Sequence, residues 1–222
     1  MTITEGATGS TDLAADARVA RELVDAVRRL SDVLVRSRPT VAAAGLTGEI
    51  SRLTDALAGQ GDPDRIAEAG LDPWYLNLAR QDRAEILGHP AEHVGGALWS
   101  RFNPLGLPLE LRVERTPDGG LELAGRTALS TVHGGPPGRV HGGLLALLMD
   151  YAMGAAIHVM GRPSYTAQLD TSYLGSTPLG AELTVRAGQE RAEGRKTWMW
   201  ATISVDGVET VRGRALFLTV AR

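Results

Sequence analysis

Cysteine is absent from the 222 residues, so disulfide bonds, thiolate catalysis and cysteine-ligated metals are excluded. A strong charge of one sign is absent as well: the formal net charge is -3 at pH 7, whereas nucleic-acid-binding proteins are expected to carry a basic excess. The longest apolar run, residues 144–160, is interrupted by Asp150 and His158, so a core helix is expected rather than a membrane span. The first residues lack the basic and apolar pattern of a signal peptide, and the expected location is the cytoplasm.

The composition that is present is typical of a globular protein that buries a core. Hydrophobic residues make up 43% of the chain and charged residues 22%. The length allows one ordinary domain with an extension. The patterns along the chain predict a disordered tail at 1–11, an N-terminal helical extension at 12–97 and a C-terminal domain at 98–222.

The predicted extension contains two clear helices. Apolar residues recur at spacings of three and four over 12–38, which predicts an amphipathic helix that ends before Pro39. The same spacing predicts a shorter helix over 47–57, and short helical segments are expected at 64–69 and 74–87. These helices could cover a binding channel, form a subunit contact or dock a partner, and the sequence favours none of the three.

The C-terminal domain shows the apolar and polar alternation of half-buried strands. Two such segments, 109–113 and 121–127, flank a Pro-Asp-Gly-Gly turn at 117–120. An apolar helix is predicted at 142–160. Three or four further strands are predicted, at 166–174, 181–190, 195–205 and 209–220. A single apolar helix between antiparallel strands is expected to be wrapped by the sheet that they form.

A glycine-rich loop leads into the apolar helix, with the sequence HGGPPGRVHGG at 133–143. The first N–H groups of a helix have no partners within it and carry the positive end of its dipole. Gly142 and Gly143 allow another group to approach this backbone closely. Such a site can hold a phosphate or the oxyanion formed when a carbonyl is attacked, although a flexible loop before a helix shows the same residues.

Asp150 lies inside the apolar helix, about two turns beyond its start. Burying a carboxylate is costly unless another group satisfies it. Residues at helical spacing from it, Ala146 and Met153, are nonpolar, so no polar stripe explains its presence. A general base is one interpretation, and a structural carboxylate is the alternative that the residues alone leave open.

Four segments of the C-terminal domain carry a family pattern in a fixed order. They read GPPGRVHGGLLALLMD at 135–150, NPLGLPL at 103–109, TAQLDTSYL at 166–174 and GRKTW at 194–198. Together they resemble the hotdog-fold acyl-CoA thioesterases of the PaaI-type branch, over about residues 98–220. The resemblance implies an α+β hotdog fold, in which a five- or six-stranded antiparallel sheet wraps a long central helix.

The resemblance also implies roles for four residues. Asp150 falls at the position of the catalytic acid, which acts as a general base on water or as a nucleophile. Gly142 falls where the backbone N–H stabilises the oxyanion, and His141 shapes that turn. Thr166 matches the hydroxyl residue that orients the water or the carboxylate.

One position departs from the family pattern. Many relatives carry Asn or Gln six residues before the histidine, aimed at the thioester carbonyl, whereas this chain carries Gly135. The side-chain contact is therefore absent, and the sequence leaves open whether His133 substitutes for it.

Coenzyme A carries phosphates, and the family meets them with basic residues. Arg195, Lys196 and Arg139 are the candidates for this contact, and Gly143 is the glycine beside the proposed oxyanion donor that lets the substrate approach. The alternative for the three basic residues is that they are solvated surface charges.

The function implied by the resemblance is the hydrolysis of acyl-CoA to a free acid and coenzyme A. No separate cofactor is implied, because coenzyme A belongs to the substrate, and the implied assembly is a homodimer or a dimer of dimers. A hotdog module that binds acyl-CoA or an acyl chain without catalysis is the alternative. A dehydratase or hydratase is disfavoured, because the helical His-Asp/Glu arrangement of that class is not seen.

Other candidate features favour structural interpretations. His89 and His93 are four residues apart, but Pro90 interrupts a helix there and no third ligand is nearby, so a metal site is disfavoured. Trp198 and Trp200 alternate with Met199, which predicts that one face of this strand packs in the core or at a subunit interface.

Overall fold

The computed structural model describes residues 9–37, 41–58, 104, 106–117 and 119–220. Residues 1–8 of the predicted tail, the predicted helical segments at 64–69 and 74–87, and the His89–His93 pair lie outside the described residues.

Two helices form the described part of the extension. Helix α1 spans Gly9–Arg36, so it begins slightly earlier than predicted and includes residues 9–11, which were expected in the tail. A 3-10 turn at Val41–Ala43 leads into α2, which spans Ala44–Ala58. Both predicted helices are therefore present.

The C-terminal part contains six strands and one long helix. The strands are β1 Glu110–Arg115, β2 Leu121–Ala128, β3 Ser164–Tyr173, β4 Glu182–Glu193, β5 Lys196–Val205 and β6 Val208–Thr219. Helix α3 spans Gly142–Val159, between β2 and β3. The strands form one antiparallel sheet in the order β1-β2-β4-β5-β6-β3. The predicted hotdog fold is confirmed.

Helix α3 forms the centre of the core. Met149, Met153 and Ile157 are fully buried, and they pack in one cluster with buried side chains of the sheet such as Ile203 and Phe217. Burying each such side chain contributes about 1.5–3 kcal/mol to folding. The helix is long and apolar enough to cross a membrane, but 56% of its residues are buried inside the protein, as expected of a core helix.

Helix α1 is attached to the C-terminal part by polar contacts. The Asp32 carboxylate accepts a hydrogen bond from the Thr131 N–H at 3.0 Å, and Arg28 donates to the Gly106 carbonyl at 3.1 Å. Thr131 begins the 3-10 turn Thr131–His133, which precedes the glycine-rich loop. The extension therefore contacts the segment that leads into α3.

Candidate active site

The start of α3 has one backbone donor without an acceptor. The Gly143 N–H donates to His141 Nδ1 at 3.0 Å, and the N–H groups of Leu144 and Leu145 donate to the His141 carbonyl at 2.9 and 3.2 Å. Among the described residues, no group accepts from the Gly142 N–H. Helix starts leave such donors for capping groups or for ligands. The Gly142 N–H is thus available to an acceptor from outside the chain.

The loop before α3 is held in place by backbone hydrogen bonds. The His141 N–H donates to the His133 carbonyl at 2.9 Å, the Val140 N–H to the Thr177 carbonyl at 2.9 Å, and the Gly135 N–H to the Arg139 carbonyl at 2.9 Å. These bonds close the loop on itself and attach it to the segment before β4. The chain that leads into Gly142 is therefore held by hydrogen bonds on both sides of the loop.

Gly135 has no room for a side chain. A Cβ atom at this position would lie 2.8 Å from the Cα of His141, which is closer than Cβ atoms approach backbone. The Asn or Gln that many relatives carry here cannot fit this loop without moving His141. The departure from the family pattern therefore has a steric reason in this chain.

The His133 ring has a partner in the turn that precedes the loop. Its Nδ1 accepts from the Ser130 N–H at 3.1 Å, within the 3-10 turn. Burial lowers the pKa of His133 below its ordinary value, with Arg28 acting in the same direction. The His133 ring therefore stabilises the 3-10 turn that precedes the loop, through its bond with Ser130.

Asp150 and Thr166 are brought together across α3 and β3. The Thr166 hydroxyl donates to Asp150 Oδ1 at 2.9 Å. Asp150 is half-buried, while Thr166 is exposed on the edge strand. One carboxylate oxygen is thus held by a neighbour, and the side chain is neither a core residue nor a fully solvated one.

Tyr173 is a site residue that the sequence did not single out. It lies at the end of β3, where its hydroxyl donates to the Gly142 carbonyl at 2.8 Å. A Cβ atom at Gly142 would lie 3.3 Å from the Tyr173 ring, so the ring packs directly against this glycine. The tyrosine was visible within the TAQLDTSYL segment, but no local pattern indicated that it reaches α3.

The basic residues predicted to bind coenzyme A are not brought to one place within the chain. Arg139 is exposed in the loop near Gly142. Arg195 and Lys196 are exposed at the β4–β5 turn, and Arg195 donates to the Thr219 carbonyl at 3.1 Å. Lys196 pairs with Leu218, which pairs with Tyr165, so this turn lies at the other end of β3.

The two tryptophans of β5, Trp198 and Trp200, lie outside the core. Met199 is fully buried, whereas Trp198 and Trp200 are half-buried on the opposite face of the sheet. The guanidinium of Arg191 lies over the Trp198 ring, 3.8 Å from its centroid. Within the part of the chain that the structure describes, no group of three or more His, Asp or Glu could hold a metal ion.

Comparisons with known proteins agree with this fold. Residues 137–202 match the family model described as thioesterase superfamily. The acyl-coenzyme A thioesterase THEM4 of Xenopus laevis is 36% identical over 64 residues, and the match spans 29% of this chain and 29% of that protein. A crystal structure described as a thioesterase superfamily protein is similar with a TM-score of 0.71 at 29% identity, covering 90% of this chain and 94% of that one. The predicted resemblance to the thioesterase superfamily is confirmed, and its PaaI-type branch stays a prediction.

Proposed function

We propose that the protein is an acyl-CoA thioesterase with Asp150 as the general base. One observation carries the proposal: a half-buried carboxylate, oriented by the Thr166 hydroxyl, lies on the same helix as a backbone N–H that has no acceptor. A base and an oxyanion donor are the two groups that hydrolysis of a thioester requires. The similarity to an acyl-coenzyme A thioesterase over part of the chain supports the same reaction class.

The proposed reaction proceeds through a tetrahedral intermediate. Asp150 takes a proton from water as the water oxygen bonds to the thioester carbonyl carbon. The Gly142 N–H donates to the oxygen that becomes negatively charged, and His141 keeps the helix start in place. The carbon–sulfur bond then breaks, and the leaving thiolate takes the proton from Asp150. The products are a free acid and coenzyme A, and the proposed reaction uses no separate cofactor.

The separation of the two groups favours a site shared between two subunits. At about 1.5 Å per residue, α3 places the Cα atoms of Gly142 and Asp150 about 12 Å apart along its axis. A water molecule on the base and a carbonyl on the donor must approach within about 3 Å of each other. We therefore propose that Asp150 acts together with the partner's Gly142.

Strand β3 offers the surface for this pairing. It is an edge strand, bonded only to β6 among the described strands. Antiparallel pairing of two copies of β3 would bring the Thr166 end of one strand to the Tyr173 end of the other. The same pairing would carry the partner's Lys196 towards Arg139, so that both could meet the phosphates of coenzyme A. The mass in solution tests this dimer, and a monomer with full activity would contradict it.

Thiol release from a panel of acyl-CoAs tests the proposed reaction. The variants are Asp150→Asn and Asp150→Ala, and the matched control is Asp206→Asn, which changes an exposed carboxylate in the turn between β5 and β6. We expect the two Asp150 variants to lose activity and the control to keep it. Stabilisation by a nonhydrolysable acyl-CoA without turnover of any substrate would instead favour a binding module. The proposed location, the cytoplasm, rests on the sequence alone.

A further inference from the structure

Two side chains of the edge strand β3 reach the central helix at separate points. Thr166 donates to the Asp150 carboxylate at 2.9 Å, near one end of the strand. Tyr173 donates to the Gly142 carbonyl at 2.8 Å, at the other end. One strand therefore contacts both groups that the proposed function assigns to catalysis.

A β-bulge makes the double contact possible. Thr166 and Tyr173 are an odd number of residues apart, and regular alternation would place them on opposite faces of the sheet. The register shifts between Thr166 and Gln168, so one extra residue lies on β3 opposite β6. As a result Thr166 pairs with Phe217 and Tyr173 with Val211, two buried residues on the helix side of β6.

Tyr173 contacts one of the two glycines at the helix start. The Gly142 N–H and the Gly142 carbonyl lie in neighbouring peptide planes, and because glycine adopts a wide range of backbone angles, no side chain at this position fixes one plane relative to the other. The Tyr173 hydroxyl holds the carbonyl of Gly142, and the phenol ring packs against its Cα, where an added Cβ would lie 3.3 Å from the ring. Both contacts limit how far the Gly142 backbone can rotate.

We propose that Tyr173 is a positioning residue that aims the Gly142 N–H at the oxyanion. The inference rests on the proposed function, because it assigns Tyr173 to the donor of that same site. Tyr173 acts through Gly142 and takes no proton in the reaction. A misdirected donor stabilises the transition state less than a well-aimed one, while ground-state binding depends on it weakly.

The variant Tyr173→Phe isolates the hydrogen bond, because it keeps the ring and removes the hydroxyl. Its matched control is Tyr165→Phe on the same strand, at a position that pairs with Leu218 and faces the other side of the sheet. We expect Tyr173→Phe to lower kcat about three- to tenfold, as loss of one neutral hydrogen bond allows, with KM changed less than about twofold. The control should keep both constants. A change confined to KM, or an equal loss in both variants, would overturn the inference.

A second measurement does not depend on turnover. The amide NMR signal of Gly142, identified by its loss in Gly142→Ala, reports the environment of the donor in the full-length protein. We expect Tyr173→Phe to shift the Gly142 and Gly143 signals and Tyr165→Phe to leave them unchanged. Unchanged signals in Tyr173→Phe would overturn the inference.

The two measurements separate the inference from the proposed function. An active wild type, an inactive Asp150→Asn and an unchanged kcat in Tyr173→Phe would overturn the role of Tyr173 and leave the proposed function standing. A wild type that hydrolyses no acyl-CoA would overturn the proposed function and the catalytic part of the inference. The amide signals would then decide whether Tyr173 fixes the Gly142 backbone.

Discussion

His141 caps the backbone of Gly143: the imidazole Nδ1 accepts the Gly143 N–H at 3.0 Å, at the first turn of α3. Nδ1 thus acts as the acceptor of this bond. The cap satisfies the Gly143 N–H, whereas the Gly142 N–H is left for an acceptor from outside the chain. The histidine of the family motif thus acts here on the helix start.

We predict that the capping group at position 141 can be replaced by another acceptor. His141→Ala should lower the free energy of unfolding by about 1 kcal/mol, because the Gly143 N–H loses its partner. His141→Asn should keep most of the stability, since asparagine is a good N-cap residue. Urea denaturation of the two variants measures the difference. Equal stability losses would show that capping is not the role of His141.

The hydrogen bond between Thr166 and Asp150 gives a second prediction. Thr166→Val removes the hydroxyl with little change of volume and should lower kcat about tenfold, because the carboxylate is no longer oriented. Thr166→Ser keeps a hydroxyl and should retain most of the activity. Steady-state kinetics on both variants checks the prediction. A fully active Thr166→Val would remove Thr166 from the site.

The third prediction concerns the position where relatives carry an amide. Gly135→Asn should lower the free energy of unfolding by about 1–3 kcal/mol, because a Cβ atom 2.8 Å from the His141 Cα displaces the loop. The control is Gly138→Asn, since Gly138 has open space around it and a φ of +71°, which asparagine tolerates better than most residues. Urea denaturation compares the two. A stable Gly135→Asn with higher activity would contradict the steric account.

The fourth prediction follows from the burial of His133. Burial lowers its pKa in the folded state, so below its ordinary pKa of 6.5 the unfolded chain binds more protons than the folded one. The free energy of unfolding should therefore fall as the pH decreases below about 6.5, and His133 should not affect it well above that pH. The decrease in free energy of unfolding from pH 7 to pH 5.5 should be larger in the wild type than in His133→Gln. Equal decreases would show that His133 does not contribute.

Much of the fold could be predicted because its signals are local. Strand alternation, the Pro-Asp-Gly-Gly turn and the long apolar helix each depend on residues close in sequence, and the six strands and α3 appear near their predicted positions. The motif position of Asp150 likewise predicted a partner in Thr166, and the structure shows the hydrogen bond between them.

The remaining contacts depend on residues that are distant in sequence. The bulge after Thr166 is defined by the register against β6, which no pattern within β3 reveals. Without the bulge, the alternation along β3 would place Thr166 and Tyr173 on opposite faces of the sheet, so the two side chains could not both reach α3. The attachment of α1 through Asp32 and Thr131 also joins residues far apart in the chain, so no periodicity within α1 predicted it.

Hydrolysis of acyl-CoA by the wild type and by Asp150→Asn tests the central claim most directly. Released thiol would be measured for both proteins with substrates of several chain lengths, alongside Asp206→Asn. We predict thiol release by the wild type and by the Asp206 variant, and a loss of at least about a hundredfold in kcat for Asp150→Asn, the range expected when a general base is removed. Equal rates for the wild type and Asp150→Asn would contradict the assignment of Asp150 as the catalytic base.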